Sequence, residues 1–168
     1  TPSLPPPYQH KMSDELKALL GTEPLINQAG EKMDLAAVVG SAPLVGIYFS
    51  AHWCGPCRNF TPQLVQFKAK LAEDGTQLPI IFGSSDKDDA AMKSYFSEMS
   101  GFHAFPHGDA RIEALKSKYS VSGIPWLVVV DAKGNLVMNE ADTDVPNGAA
   151  AYSGWVAKAS KQYRECSP

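Results

Sequence analysis

Hydrophobic positions along the chain follow two spacings that predict different elements. Short apolar runs predict buried strands, and apolar residues three and four positions apart predict amphipathic helices between them. The predicted strands cover 44–50, 78–83, 126–130 and 135–139, and the predicted helices begin near Ser13, Ala36, Cys54, Asp88, Ile112 and Tyr152. This order predicts an α/β fold with helices on both faces of a central sheet.

Three further segments complete the pattern. Residues 25–27 and 32–35 flank a turn at Gly30 and predict a short leading β-hairpin. The segment 100–108 is rich in Gly, His and Pro and predicts a loop. Residues 1–12 contain prolines and no periodicity, so we expect a flexible arm ahead of a single domain at 13–164.

Composition and charge narrow the functional classes. The chain is 44% hydrophobic and 20% charged, as in ordinary globular proteins. A net charge of −3 without a Lys/Arg cluster argues against nucleic-acid binding, and no apolar run approaches membrane-spanning length. Three cysteines fit a reducing compartment, so we expect a cytoplasmic protein. The chain begins at Thr1, which leaves room for a removed leader or organellar targeting.

The candidate chemistry lies where the strand predicted at 44–50 meets the next helix. Helical spacing of the apolar residues after Cys57 places Cys54 at the start of that helix. A thiol there faces unpaired N–H groups and the positive end of the helix dipole. Both should lower its pKa below the value of about 8.5 of a free cysteine. Cys57 lies one turn further on, close enough to attack a mixed disulfide, so the pattern predicts a redox-active pair.

A zinc site is the alternative for two cysteines at this spacing. A structural zinc needs four ligands, and the chain has no second cysteine pair. His52 and either His103 or His107 could add ligands, but nothing in the sequence brings them together. We therefore favour redox chemistry and expect no metal.

The stretch Trp53-Cys54-Gly55-Pro56-Cys57 resembles the active site of thioredoxin. The resemblance implies that Cys54 is the attacking thiolate and Cys57 the resolving thiol. It also implies that Trp53, Gly55 and Pro56 border the substrate. The fold it implies is thioredoxin-like, a central mixed β-sheet flanked by helices, here with an N-terminal β-hairpin extension.

A second part of the implied site is Ile124-Pro125, directly before the strand predicted at 126–130. Thioredoxin-fold proteins hold a cis-proline at this place, facing the cysteines. The resemblance therefore implies a cis bond here. It also implies that Ile124 and Pro125 contribute to substrate binding by offering backbone groups to an extended segment.

Further motifs resemble the tryparedoxins and nucleoredoxins within the thioredoxin superfamily. The matching stretches are Tyr48-Phe49-Ser50-Ala51, Arg58 to Leu64, Ser84-Ser85-Asp86, Tyr95-Phe96 with Met99, and Gly123-Ile124-Pro125. The sequence departs from the branch in two places. Gly55-Pro56 replaces its usual Pro-Pro, and residues 137–142 lack the arginine that helps tryparedoxins use their glutathione-spermidine reductant.

The resemblance implies a thiol–disulfide oxidoreductase that reduces disulfides in proteins such as peroxiredoxins. It implies no bound cofactor and an external thiol reductant, which could be trypanothione, glutathione or a thioredoxin reductase system. The alternative is a redox-sensing binding module of the nucleoredoxin type, in which the state of Cys54 and Cys57 controls a partner interface. Catalytic turnover separates the two.

Individual residues carry their own expectations. Tyr48 occupies the position of thioredoxin's buried aspartate, six residues before the first cysteine. A tyrosine has a pKa of about 10 and is protonated at neutral pH, so Tyr48 is a poor base there. We therefore expect Cys57 to lose its proton through water or a different carboxylate. Trp126 could pack in the core, where it would compensate for smaller neighbours such as Gly46, or border the substrate groove; we favour the core.

We expect a solvated His52; the alternative is a protonated His52 that lowers the Cys54 pKa. We expect cap and helix-start charges at Asp86, Asp88 and Asp89, with contact to a cationic substrate as the alternative, and no role for Cys166.

Overall fold

The computed structural model describes residues 12–165, which form a seven-stranded sheet and six α-helices. The strands are β1 (Leu25–Ile26), β2 (Lys32–Met33), β3 (Leu44–Ser50), β4 (Ile80–Ser84), β5 (His103–Ala104), β6 (Trp126–Asp131) and β7 (Leu136–Met138). The helices are α1 (Asp14–Leu20), α2 (Leu35–Val39), α3 (Gly55–Glu73), α4 (Asp89–Phe96), α5 (Ala110–Lys118) and α6 (Ala149–Glu165). None of these helices is both long and apolar enough to cross a membrane.

The sheet is mixed and its strand order is β2-β1-β5-β4-β3-β6-β7. Strand β3 lies between β4, to which it is parallel, and β6, to which it is antiparallel. Every residue of β3 is buried, which explains its nearly continuous apolar run. The central mixed sheet with helices on both faces confirms the predicted fold class.

Alternation along β3 divides the core into two clusters, one on each face of the sheet. Leu44 and Tyr48 belong to the first cluster, which receives side chains from α3, α4 and α6. Val45, Ile47 and Phe49 belong to the second, which receives side chains from α1, α2 and α5. Met12, at the start of the described residues, is buried in the second cluster.

The segment 100–108 is not only a loop, because it contains β5. This strand has two residues, too few to show a period, and it joins the leading hairpin to the rest of the sheet. Ile26 pairs with Ala104, and Ala104 pairs with Phe82 of β4. The predicted hairpin is confirmed, with shorter strands than expected.

The chain between β7 and α6 folds into two 3₁₀ turns, at Ala141–Thr143 and Val145–Asn147. The hydrophobic pattern does not predict these turns. Trp155 of α6 is buried, whereas Tyr163, about two turns further along the helix, is 60% exposed and lies beneath the Lys133 ammonium. The last turns of α6 extend past the core. The predicted bystander Cys166 lies outside the described residues.

Candidate functional site

Cys54 is the N-cap residue of α3, in an extended backbone conformation with φ −89° and ψ 113°. Its sulfur accepts a hydrogen bond of 3.3 Å from the backbone N–H of Cys57, one of the N–H groups that no helical carbonyl can reach. Gly55 and Pro56 form the first turn, where a proline is tolerated because its missing N–H would have no partner. The predicted placement of Cys54 at the helix start is confirmed.

The two sulfurs are joined as a disulfide and differ in access to solvent. Cys54 is 7% exposed and Cys57 is fully buried. The helix turn places Cys57 behind Cys54 as seen from the surface. A substrate disulfide can therefore approach the Cys54 sulfur from solvent, whereas the protein shields the Cys57 sulfur from it.

The loop before β6 brings a backbone carbonyl against the first sulfur. The Ile124–Pro125 peptide bond is cis, as the resemblance implied. The carbonyl oxygen of Ile124 lies 3.7 Å from Cys54 Sγ. The antiparallel register between β3 and β6 pairs Phe49 with Trp126 and so carries this loop to the cysteines. Ile124 and Pro125 are half-buried, which leaves part of this loop open to an incoming chain.

Trp53 lies at the surface, 58% exposed, directly before Cys54. Its indole Nε1 donates a hydrogen bond of 3.0 Å to the carbonyl oxygen of Ser85. Ser85 follows β4, and its hydroxyl accepts a hydrogen bond from Lys116 of α5. The loop after β4 thus fixes the orientation of an exposed indole beside the disulfide.

Asp86 does not begin a helix, contrary to our expectation for it. The residue is buried, and its carboxylate accepts one hydrogen bond from the backbone N–H of His52 and another from the Ser84 hydroxyl. Its own carbonyl oxygen accepts from His107 Nε2 at 2.9 Å. Asp88, by contrast, caps α4 as predicted. Asp86 therefore supports the backbone immediately before the cysteines.

The Tyr48 hydroxyl belongs to a cluster of buried hydroxyls that the sequence pattern does not predict. Its hydroxyl is 2.7 Å from Thr61 Oγ1, which is 2.6 Å from the Tyr95 hydroxyl, and Tyr95 in turn is 2.7 Å from Ser50 Oγ. Thr61 follows Cys57 by one helical turn on the buried face of α3. Burial raises the pKa of Tyr48 well above that of a free tyrosine. Tyr48 therefore stays protonated at neutral pH and cannot act as a base.

Trp126 lies at the margin of the second core cluster and is half-buried. Its indole Nε1 donates a hydrogen bond of 2.7 Å to Asn139 Oδ1. The suggestion that it compensates for Gly46 is wrong. A Cβ on Gly46 would lie 3.3 Å from Ile80 Cγ1 and 3.4 Å from Leu127 Cδ1. The space beside Gly46 is therefore filled by residues of the first cluster, on the opposite face of the sheet from Trp126.

The histidines considered for a metal site have separate surroundings. His52 is exposed, and its ring and that of Tyr95 form a T-shaped pair with centroids 5.6 Å apart. His103 lies in β5, and His107 bonds to Asp86. Among residues 12–165 no group of three or more His, Cys, Asp or Glu side chains is placed to hold a metal ion.

Comparison with known proteins relates the chain to redox proteins. A family described as Thioredoxin-like matches residues 43–136. Mouse nucleoredoxin is 40% identical over 125 residues, which are 74% of this chain and 28% of that protein. The chain spans about a quarter of the length of such curated relatives.

Two solved structures resemble the chain over nearly their whole length. Tryparedoxin II from C. fasciculata is 32% identical with a TM-score of 0.73, covering 82% of this chain and 90% of that one. A tryparedoxin II complexed with glutathionylspermidine is 31% identical with a TM-score of 0.73, covering 82% and 95%.

Proposed function

The chain belongs to the thioredoxin superfamily, in its tryparedoxin- and nucleoredoxin-like branch, and from this membership we propose that it reduces protein disulfides through a Cys54/Cys57 dithiol–disulfide cycle. The observation that carries the proposal is the position of Cys54. Its sulfur lies at the N-terminus of α3, at disulfide distance from a buried partner and beside the Ile124 carbonyl.

The first half of the cycle is attack by Cys54. The helix N-terminus stabilises its thiolate, which attacks one sulfur of a substrate disulfide. A Cys54–substrate mixed disulfide forms, and the other substrate sulfur leaves as a thiolate that takes a proton from water. Trp53 and the backbone at Ile124 flank the reacting sulfur and orient the substrate chain.

The second half of the cycle is resolution by Cys57. The Cys57 thiol loses its proton to water, its thiolate attacks Cys54 Sγ across one helical turn, and the bond between Cys54 and the substrate sulfur breaks. This releases the second substrate thiol and leaves the Cys54–Cys57 disulfide found in the structure. Two electrons from an external thiol reductant restore the dithiol. The substrate is thus reduced by two electrons that the reductant supplies.

The identity of the reductant is the less constrained part of the proposal. The likeness to a tryparedoxin that binds glutathionylspermidine supports a glutathione-type thiol. Residues 137–142 lack the arginine that tryparedoxins tend to have there, so the likeness does not by itself establish trypanothione as the donor. We propose glutathione or a thioredoxin reductase system as the donor, peroxiredoxin-type proteins as the acceptors, and a reducing compartment such as the cytoplasm.

The nucleoredoxin relatives favour a second candidate, a redox-sensing binding module. An exposed Trp53 next to the disulfide could report its redox state to a partner protein. Such a module needs one change of redox state and no repeated turnover.

Steady-state reduction of a protein disulfide separates the two candidates. The assay compares NADPH with thioredoxin reductase, glutathione and trypanothione as electron sources. We expect many turnovers per molecule with at least one of them and none for Cys54→Ser. Reduction limited to one equivalent of substrate with every reductant would support the binding module instead.

A further inference from the structure

A cleft of about 640 Å³ lies at the end of the sheet opposite the cysteines. It is bordered by Pro43 and Pro79, which precede β3 and β4, whereas Cys54 follows the far end of β3. The seven residues of β3 separate the two regions by about 20 Å. The cleft is within the size range of small-molecule sites and is distinct from the redox site.

Among the described residues, the cleft is lined by basic side chains and by no acidic ones. Lys68 of α3 and His103 of β5 both line it, and none of its lining residues is Asp or Glu. This is unexpected in a chain with 18 acidic residues against 15 Lys and Arg. The neutral polar side chains on the wall are Ser41, Thr76, Gln77 and Tyr152.

Lys68 is held in place and only partly hydrogen-bonded. Its Nζ donates 2.8 Å to the carbonyl oxygen of Leu78, which leaves two of the three ammonium hydrogens for another acceptor. Its stem passes over Gly101, where a Cβ would lie 3.3 Å from Lys68 Cε. Gly101 has φ +83°, a conformation that residues with a side chain rarely adopt. Both this backbone conformation and the nearby Lys68 stem therefore favour glycine at this position.

Within the described part of the chain, neither basic side chain of the cleft has an ion-pair partner. Burial lowers the pKa of Lys68, and burial together with the Lys68 charge lowers the pKa of His103. An anion in the cleft would favour the protonated forms of both Lys68 and His103, because an opposite charge nearby stabilises the charged form.

We infer that this cleft binds a small molecule through a phosphate or carboxylate group held by Lys68 and His103. The oxyanion accepts hydrogen bonds from the Lys68 ammonium and from the His103 imidazolium, and the hydroxyl and amide groups of Thr76 and Gln77 are available to the remainder of the ligand. Tyr152 is the other titratable group on the wall. Binding is linked to protonation of His103, because the anion stabilises the charged ring.

Titration with inorganic phosphate and, separately, with acetate at constant ionic strength tests the inference. Proton NMR follows the His103 ring while each anion is added. We expect saturation at about 1 mM or below for at least one anion, with a rise in the His103 pKa. The two titrations distinguish a phosphate from a carboxylate ligand. Shifts that grow linearly without saturation for both anions would overturn the inference.

Three variants locate the binding. Lys68→Met should weaken affinity at least tenfold, while Lys68→Arg, which keeps the charge, should retain most of it. Lys70→Met is the matched control, because Lys70 is on the same helix but does not line this cleft. Equal affinity in Lys68→Met and Lys70→Met would contradict the proposed site. Disulfide reduction should be unchanged in all three, so this test is independent of the redox proposal.

Discussion

The indole of Trp53 is hydrogen-bonded through Nε1 to the backbone carbonyl of Ser85, 32 residues further along the chain. One residue after Ser85, the buried Asp86 carboxylate accepts from the backbone N–H of His52, one residue before Trp53. Two adjacent residues of one loop therefore hold two adjacent residues of the other. This pairing fixes the approach to Cys54 without contacting its sulfur.

Removal of the Asp86 carboxylate should loosen this pairing. In Asp86→Ala the His52 N–H and the Ser84 hydroxyl lose their acceptor, and we expect a loss of about 1–3 kcal/mol in the free energy of unfolding. Asp86→Asn keeps an acceptor for His52 and should lose less. Urea unfolding of the oxidised protein measures both. Lys87→Ala, at an exposed neighbour, is the control, and equal stability of Asp86→Ala and Lys87→Ala would rule out this role.

The Tyr48 hydroxyl should not be needed for proton transfer. Burial keeps it protonated, and Tyr48→Phe leaves Thr61 bonded to Tyr95. We expect the rate at which Cys57 resolves a mixed disulfide to change by less than tenfold, measured by stopped-flow kinetics near neutral pH. A hundredfold loss, the scale of general acid–base catalysis, would show that Tyr48 takes part.

The ion pair between Asp109 and Arg111 predicts a pH dependence of stability. Hydrogen bonds from Arg111 hold the pKa of the Asp109 carboxyl below its usual value. A depressed carboxyl pKa stabilises the folded state above the unfolded pKa of about 3.9, and this contribution is lost as the pH falls through the folded pKa. Asp109→Asn should therefore be less stable than the wild type at pH 7, and the difference should shrink below about pH 4.

Arg111 also joins α5 to the segment from the end of α1 to β1. These contacts contribute to stability independently of the charge on Asp109, so the experiment must separate the two. The Arg111 guanidinium donates to the carbonyl oxygens of Leu20, Glu23 and Pro24, and these bonds do not titrate. Urea unfolding at pH 7, 5 and 3 separates the two contributions. A wild-type advantage over Asp109→Asn that is the same at pH 7 and pH 3 would refute the assigned pKa shift.

Trp126 should contribute to stability more than to substrate choice. Trp126→Phe keeps the packing on the second cluster and removes the hydrogen bond to Asn139, so we expect a loss of about 1 kcal/mol. Trp126→Thr also removes the ring and should cost about 2–3 kcal/mol, somewhat less than a fully buried aromatic truncation. Thermal unfolding checks both. An unchanged melting temperature in Trp126→Thr, with altered relative kcat/KM for bulky and small disulfides, would place the residue in the substrate groove.

The long elements and the redox pair were predictable because their signals are local. β3 has a seven-residue apolar run, and α3 has a periodic face that starts just after Cys54. By contrast, β5 has two residues and exists through its pairing with β4 and β1, so no period could reveal it. The 3₁₀ turns after β7 are likewise too short to carry a period.

The supporting contacts of the site depend on distant residues and could not be predicted in the same way. Asp86 stands close to two other acidic residues and so resembles a helix-start charge, yet its partner is the backbone of His52. The hydroxyls of Thr61 and Tyr95 occupy positions in apolar helical faces, where a hydroxyl is a weak sign of a polar cluster. Such a sign identifies a candidate residue without identifying its partner.

The most direct test of the redox cycle is to locate the sulfur that first bonds to a substrate. Cys54 is 7% exposed and caps α3, whereas Cys57 is buried behind it. The measurement is peptide mass spectrometry of the adducts that Cys57→Ser and Cys54→Ser form with a protein disulfide near neutral pH. We predict that Cys57→Ser accumulates a mixed disulfide through Cys54 and that Cys54→Ser is inert. A mixed disulfide through Cys57 in Cys54→Ser, with none in Cys57→Ser, would contradict the proposed cycle.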